Sequence, residues 1–238
     1  MISKNILFLI IILSGSLQAQ MFSVGGSSES REPSSSQYLR LGYSPVDFSF
    51  EGEASIQNAQ NRLDFNSSAF HIGIETPGLN ASLSFVNKLT GAKDERYLNL
   101  SLDYINRFSF IRSPSFQFGI PLGLKTSLLN VQNEQINNDF SQTVFGFGVG
   151  AFSSFRIPNK IIFSIEGIPS YGFSNSSGGL FGGSNKSLVA SARLNFLNIF
   201  PGRNLSFGYD YNYSSYDLDD DSFDYDLNSH LITIGVSL

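Results

Sequence analysis

The chain has 238 residues, with 15 basic and 20 acidic side chains, 23 Phe, 10 Tyr and neither Cys nor Trp. Only 15% of it is charged, below the ~25% of an average soluble domain, yet its apolar and aromatic content is too high for a disordered chain. The lack of Cys excludes a disulfide scaffold, a thiolate metal site, a thiol nucleophile and an N-terminally lipidated Cys. A net charge of −5 gives no general attraction to nucleic acid.

Residues 1–19 read as a secretory signal peptide. Lys4 supplies the positive start, Ile6 to Leu13 the apolar stretch, and Ala19 a small residue for cleavage before Gln20. Eight apolar residues are too few for a membrane anchor, which needs about 20. Residues 20–37 hold Gly25, Gly26, Pro33 and many serines, with little to bury. They read as a flexible periplasmic lead-in.

From Gln37 onward the period is two. Alternating apolar sets run through Leu39–Tyr43, Phe70–Ile74, Leu79–Phe85, Leu98–Tyr104, Phe116–Leu124, Phe145–Ala151, Ile161–Ile165, Leu188–Phe196, Leu205–Tyr211 and Ile232–Leu238. Each has one apolar face and one polar or small face, the signature of a half-buried strand. Strand one contains Pro45 and is expected to bulge there. Links at Pro77, Arg112–Pro114, Pro158–Asn159 and Pro201–Gly202 are short, whereas 51–63, 129–139, 172–186 and 214–229 are long and polar. The link at 89–95 is short but falls in the long series, so long and short links alternate almost perfectly, as in a bacterial outer-membrane barrel. The fold class is therefore all-β: an antiparallel up-and-down transmembrane β-barrel of ten strands over 38–238. Eight strands, or a soluble secreted barrel, are the alternatives. Aromatics near the short turns (Phe108, Phe155, Phe196, Phe200) and near the long loops (Tyr97, Phe140, Tyr171, Tyr211, Tyr213) are expected to form two interfacial girdles.

The last segment, His230–Leu238, alternates to the carboxyl terminus and resembles the strand by which the outer-membrane assembly machinery recognises barrels. Together with YLRLGYSP (Tyr38–Pro45) and GIPLGLKTS (Gly119–Ser127), it makes the body similar to the OmpA/OmpX-like outer-membrane barrels, small porin-like proteins common in Bacteroidetes. The resemblance implies a fold and a place in the Gram-negative cell outer membrane, with lipid, lipopolysaccharide and the assembly machinery as partners. It implies little about activity.

With the apolar set outward, the opposite set fills the lumen: Arg40, His71, Glu75, Asp103, Lys125, Glu166, Arg193 and Asp210. Charges withdrawn from water need partners, and ten strands enclose little more than eight. The expected interior is largely closed by ion pairs and hydrogen bonds, with a narrow porin-like channel as the other reading. Gly146, Gly148 and Gly150 are consistent with either: they make room that facing Arg or Lys side chains fill, or they leave a gap.

The loop 214–229 is strongly acidic. Asp217, Asp219, Asp220, Asp221, Asp224 and Asp226 fall within ten residues, three of them at EF-hand spacing, but Ser222 replaces the required glycine and Asn228 the bidentate Glu. A looser Ca²⁺ or Mg²⁺ site, a partner-binding patch and a plain solvated loop are the readings. No other cofactor is expected.

Catalysis is not expected. An omptin-type protease needs an acidic pair and an Asp–His pair facing each other at the outer rim, and this chain has two histidines. Ser229 and His230 are adjacent, so they point to opposite faces of a strand. The sequence thus supports a structural or porin-like barrel, or a surface binding module acting through its outer loops.

Overall fold

The computed structural model describes residues 37–50, 63–87, 90, 92, 94–134, 138–176, 181–217 and 224–238. The signal peptide, most of the lead-in, the link 51–62 and Asp219 to Asp221 lie outside these residues. Eleven strand segments follow in chain order: β1 Tyr38–Phe50, β2 Leu63–Glu75, β3 Leu79–Val86, β4 Glu95–Arg112, β5 Phe116–Asn133, β6 Asn138–Val149, β7 Ala151–Ile157, β8 Ile161–Ser176, β9 Phe181–Phe200, β10 Arg203–Asp217 and β11 Tyr225–Ser237. Neighbours pair antiparallel, β1 pairs with β11, and β4 pairs with β5, so the sheet closes.

β6 and β7 are one stave of the wall. Both pair with β5 and with β8, and the register runs through the gap unchanged. The gap has a local cause. Gly150 stands opposite Pro121, whose carbonyl accepts the Gly150 N–H at 3.1 Å but which has no N–H to return. The result is an all-β, antiparallel, closed barrel of ten staves. Pro45 does not produce the expected bulge. β1 pairs with β2 at every residue, and only the β11 side loses bridges at Ser44 and Pro45, with no change of register.

The turns at 76–78, 113–115, 158–160 and 201–202 are tight. Thr76 closes the first: its N–H reaches the Leu79 carbonyl at 2.9 Å, and its Oγ1 accepts the Leu79 N–H at 2.9 Å. Both ends of the barrel chain, Gln37 and Leu238, share this end and are joined by a 2.8 Å hydrogen bond.

At the opposite end the structure corrects the sequence reading. Among the described residues, most of those assigned to long polar loops are strand. β5 reaches Asn133 before β6 starts at Asn138, β8 reaches Ser176 before β9 starts at Phe181, and β10 reaches Asp217 before β11 starts at Tyr225. The polarity code inverts there. On β1, Leu39, Leu41 and Tyr43 are exposed and Arg40 and Ser44 buried; farther on, Val46, Phe48 and Phe50 are buried and Asp47 is exposed. On β2, Phe70, Ile72 and Ile74 face out, whereas Leu63 and Phe65 face in beside exposed Asp64 and Asn66. On β11, Ile232, Ile234 and Val236 face out, whereas Tyr225 and Leu227 face in beside exposed Asp226. The strands never change face. The sequence changes which face is apolar.

Candidate functional site

The barrel interior follows from that inversion and has two unlike parts. In the short-turn half all eight polar residues proposed from the sequence point inward. Arg40 on β1 donates from Nε to Glu75 on β2 at 2.5 Å and from Nη2 to Ser206 at 3.1 Å. Glu75 also accepts Arg193 Nε from β9 at 3.3 Å, and Arg193 Nη2 reaches Asp210 on β10 at 2.9 Å. Ser191 donates to Asp210 at 2.6 Å. The run Arg40–Glu75–Arg193–Asp210 thus bridges the interior with alternating charge.

Two glycines seat these arginines. A Cβ on Gly208 would lie 3.1 Å from Arg193 Nη1 and 2.4 Å from Thr233 Oγ1, and one on Gly235 would lie 3.1 Å from Arg40 Cγ. The expected row does something else. Gly148 packs on Ser170 and Ile168, Gly150 packs on the Gly167 backbone, and of the three only Gly146 has room for a Cβ, which would touch the Tyr171 carbonyl oxygen at 3.7 Å; it stands opposite Lys125.

Arg107 joins the set although its sequence position did not single it out. It forms a two-pronged pair with Glu166 at 2.7 and 2.9 Å and donates from Nη1 to the Pro77 carbonyl at 3.1 Å. Asp103 and Lys125 stand opposite each other on β4 and β5, but no ion pair joins them. Asp103 accepts from Ser101 at 3.4 Å. His71 Nδ1 lies 2.8 Å from Ser84 Oγ, a cross-strand pair within the wall.

The long-loop half is filled by apolar side chains. Phe48, Leu63, Phe65, Val131 and Tyr216 are at most 1% exposed, packed with Phe50, Tyr97, Phe140 and Tyr225. Ring centroids approach to 4.9 Å for Phe50–Phe140, 5.2 Å for Phe65–Tyr97 and 5.2 Å for Phe140–Tyr225. Such tilted and stacked pairs add to the burial term. Tyr97 and Phe140, expected in an interfacial girdle, therefore belong to this interior plug, because their faces point inward. Tyr171 remains on the outer surface.

Outside the wall, His230 is exposed and Tyr209 Oη lies 2.8 Å from its Nδ1, while Ser229 is buried on the opposite face. Asp226 accepts Tyr213 Oη at 3.2 Å. Asp219, Asp220 and Asp221 are outside the described residues, as is the side chain of Asp217. Among the described residues no three His, Asp or Glu side chains gather to hold a metal.

No family model matches the sequence, and no curated protein matches it. Solved structures similar to it include the outer membrane protease OmpT from Escherichia coli, at 9% identity, covering 89% of this chain and 99% of that one with a TM-score of 0.46. Neisserial surface protein A, NspA, is 13% identical over 85% of this chain and 96% of its own, with a TM-score of 0.34. Ail, the attachment invasion locus protein of Yersinia pestis, solved with the heparin analogue sucrose octasulfate, is 18% identical over 85% of this chain and 97% of its own, with a TM-score of 0.29.

Proposed function

We propose that the chain is an exported outer-membrane β-barrel that does not conduct, and that acts as an anchored platform holding a β-walled collar in the water outside the bilayer. The observation that carries this reading is the plug. A channel needs a continuous polar path, and the long-loop half of the interior is closed by side chains with almost no exposed surface. The exposed apolar belt on the opposite half, Leu98 to Phe110 on β4 among others, supports lipid as its surrounding. Lipopolysaccharide at the outer boundary and the assembly machinery during insertion complete the partners this reading implies. The OmpA/OmpX-like pattern of Tyr38–Pro45 supports the same class.

A binding role is the second reading, favoured by the collar rather than by long loops. Asp47, Asp64, Asn66 and Asp226 present a polar face on adjacent strands β11, β1 and β2. The proposal includes no catalysis: the Ser84–His71 pair is set into the wall, and neither residue has a carboxylate hydrogen-bonded to the imidazole among the described contacts. Conductance across a planar bilayer tests the main reading. The refolded mature chain is expected to give silence while showing heat-modifiable gel mobility; stable single-channel steps would overturn it.

A further inference from the structure

The exposed apolar belt is not equally tall around the barrel. On β1 it runs from Leu39 to Pro45, between exposed Gln37 and exposed Asp47, and on β2 from Phe70 to Ile74, between the Thr76–Gly78 turn and exposed Asn66. On β4 it runs from Leu98 to Ile111, interrupted by Asn106, between Arg96 and Arg112; on the β6–β7 stave it runs from Phe145 to Ile157, interrupted by Ser153. With a strand rise of about 3.4 Å and a tilt near 40°, the short stretches cover about 16 Å of height on β1 and about 10 Å on β2 between their outermost Cα atoms. The Leu98–Phe110 and Phe145–Ile157 stretches cover about 31 Å by the same arithmetic, against an apolar band of about 25 Å in a typical outer-membrane barrel.

The difference arises at the short-turn end. β3 starts at Leu79, opposite Tyr104, while β4 runs on to Arg112 paired only with β5. The rim is bevelled, and charge sits in the bevel. Arg107 reaches the Pro77 carbonyl in the β2–β3 turn, and it is 33% exposed while paired with Glu166. An undeformed bilayer would set that ion pair, and the polar turn, against hydrocarbon. Charged groups facing hydrocarbon are costly even when paired, whereas local thinning costs fractions of a kcal/mol per Å of mismatch.

Resting on the outer-membrane reading, we propose that the barrel thins the bilayer beside β1–β3, so that the lipid interface of the periplasmic leaflet rises to the β2–β3 turn and the lumen mouth opens to water rather than to acyl chains. The partner of this surface is a locally shortened, disordered patch of lipid.

The chain has no Trp, so single substitutions report depth directly. Ile74→Trp, Leu39→Trp, Tyr43→Trp and Val149→Trp are each refolded into vesicles of lipid brominated either near the headgroup or near the acyl-chain end. Each is first checked for heat-modifiable mobility. Val149, midway along the tall stave, is expected to be quenched more by the deep bromines. Ile74→Trp, Leu39→Trp and Tyr43→Trp are expected to be quenched more by the shallow ones. Leu39→Trp duplicates Ile74→Trp on the neighbouring strand, since the two residues are register partners. Deep quenching at both Ile74 and Leu39 would mean a flat bilayer and overturn the proposal. Deep quenching at Tyr43 would mean a leaning barrel and overturn it equally. No quenching of any variant by either lipid would instead overturn the outer-membrane reading beneath it.

Discussion

The two halves of the barrel use the same backbone to solve opposite problems. In the short-turn half the outside is apolar and the inside holds Arg40, Glu75, Arg193 and Asp210 in one ion-paired run. In the long-loop half the outside is polar and the inside holds Phe48, Phe65, Val131 and Tyr216. The first half obeys the rule for a wall in lipid, where lumen-facing and lipid-facing residues alternate. The second obeys the rule for a barrel in water, whose centre is filled by apolar side chains. The comparison teaches that apolar alternation alone does not identify the surrounding solvent. The phase of the alternation along each strand does.

The sharpest way to break this contrast is to put a charge in the plug. Val131→Asp is expected to destabilise the barrel by more than about 4 kcal/mol, since an unpaired buried carboxylate has no partner there. Gln132→Asp, one residue away on the outer face, is expected to stay within about 0.5 kcal/mol. Urea unfolding followed by gel mobility separates the two.

The polar half fails differently. Glu75→Gln removes the carboxylate shared by Arg40 and Arg193 and is expected to cost about 3 kcal/mol in the same assay. Swapping surfaces gives a somewhat smaller effect. Leu100→Arg on the outer face of β4 is expected to cost about 2–3 kcal/mol in lipid vesicles, while Asn66→Arg on the polar collar costs nearly nothing. An equal response to the two arginines would erase the distinction between the halves. The mildest expected change is Ser84→Ala, which removes the partner of His71 Nδ1 and should cost about 1 kcal/mol.

Much of the first half was legible in the sequence. Its strands alternate cleanly, and its charged residues fall at the opposite parity from Leu39, Ile72 or Leu102. The second half was harder to read for a physical reason. On β1 the apolar residues occupy odd positions through Tyr43 and even positions from Val46, so the pattern looks interrupted, and the polar outer face of the same segment looks like a loop. Tracking both faces through Ser44 and Pro45 reveals one continuous strand. Tyr97 and Phe140 lie near loops along the chain, but their parity is inward, so nearness to a loop does not place them in a girdle. Arg107 is hard to read from the sequence because β4 continues eight residues past Tyr104, where the bevelled rim leaves it no strand partner on the β3 side. The pairing of Glu75 on β2 with Arg193 on β9 depends on closure of the sheet, which no local pattern encodes.

The unbroken register across Gly150 and Pro45 has a consequence for assembly. Sliding a strand by one residue moves its side chains to the other face. In a barrel with one polarity code, that error is penalised in one medium. Here, with the barrel in the outer membrane as proposed, a slip would push arginines toward acyl chains at one end and at the same moment empty an aromatic core into water at the other. Each strand therefore carries two independent proofreading marks, and a mispaired hairpin that satisfies one of them still fails the other.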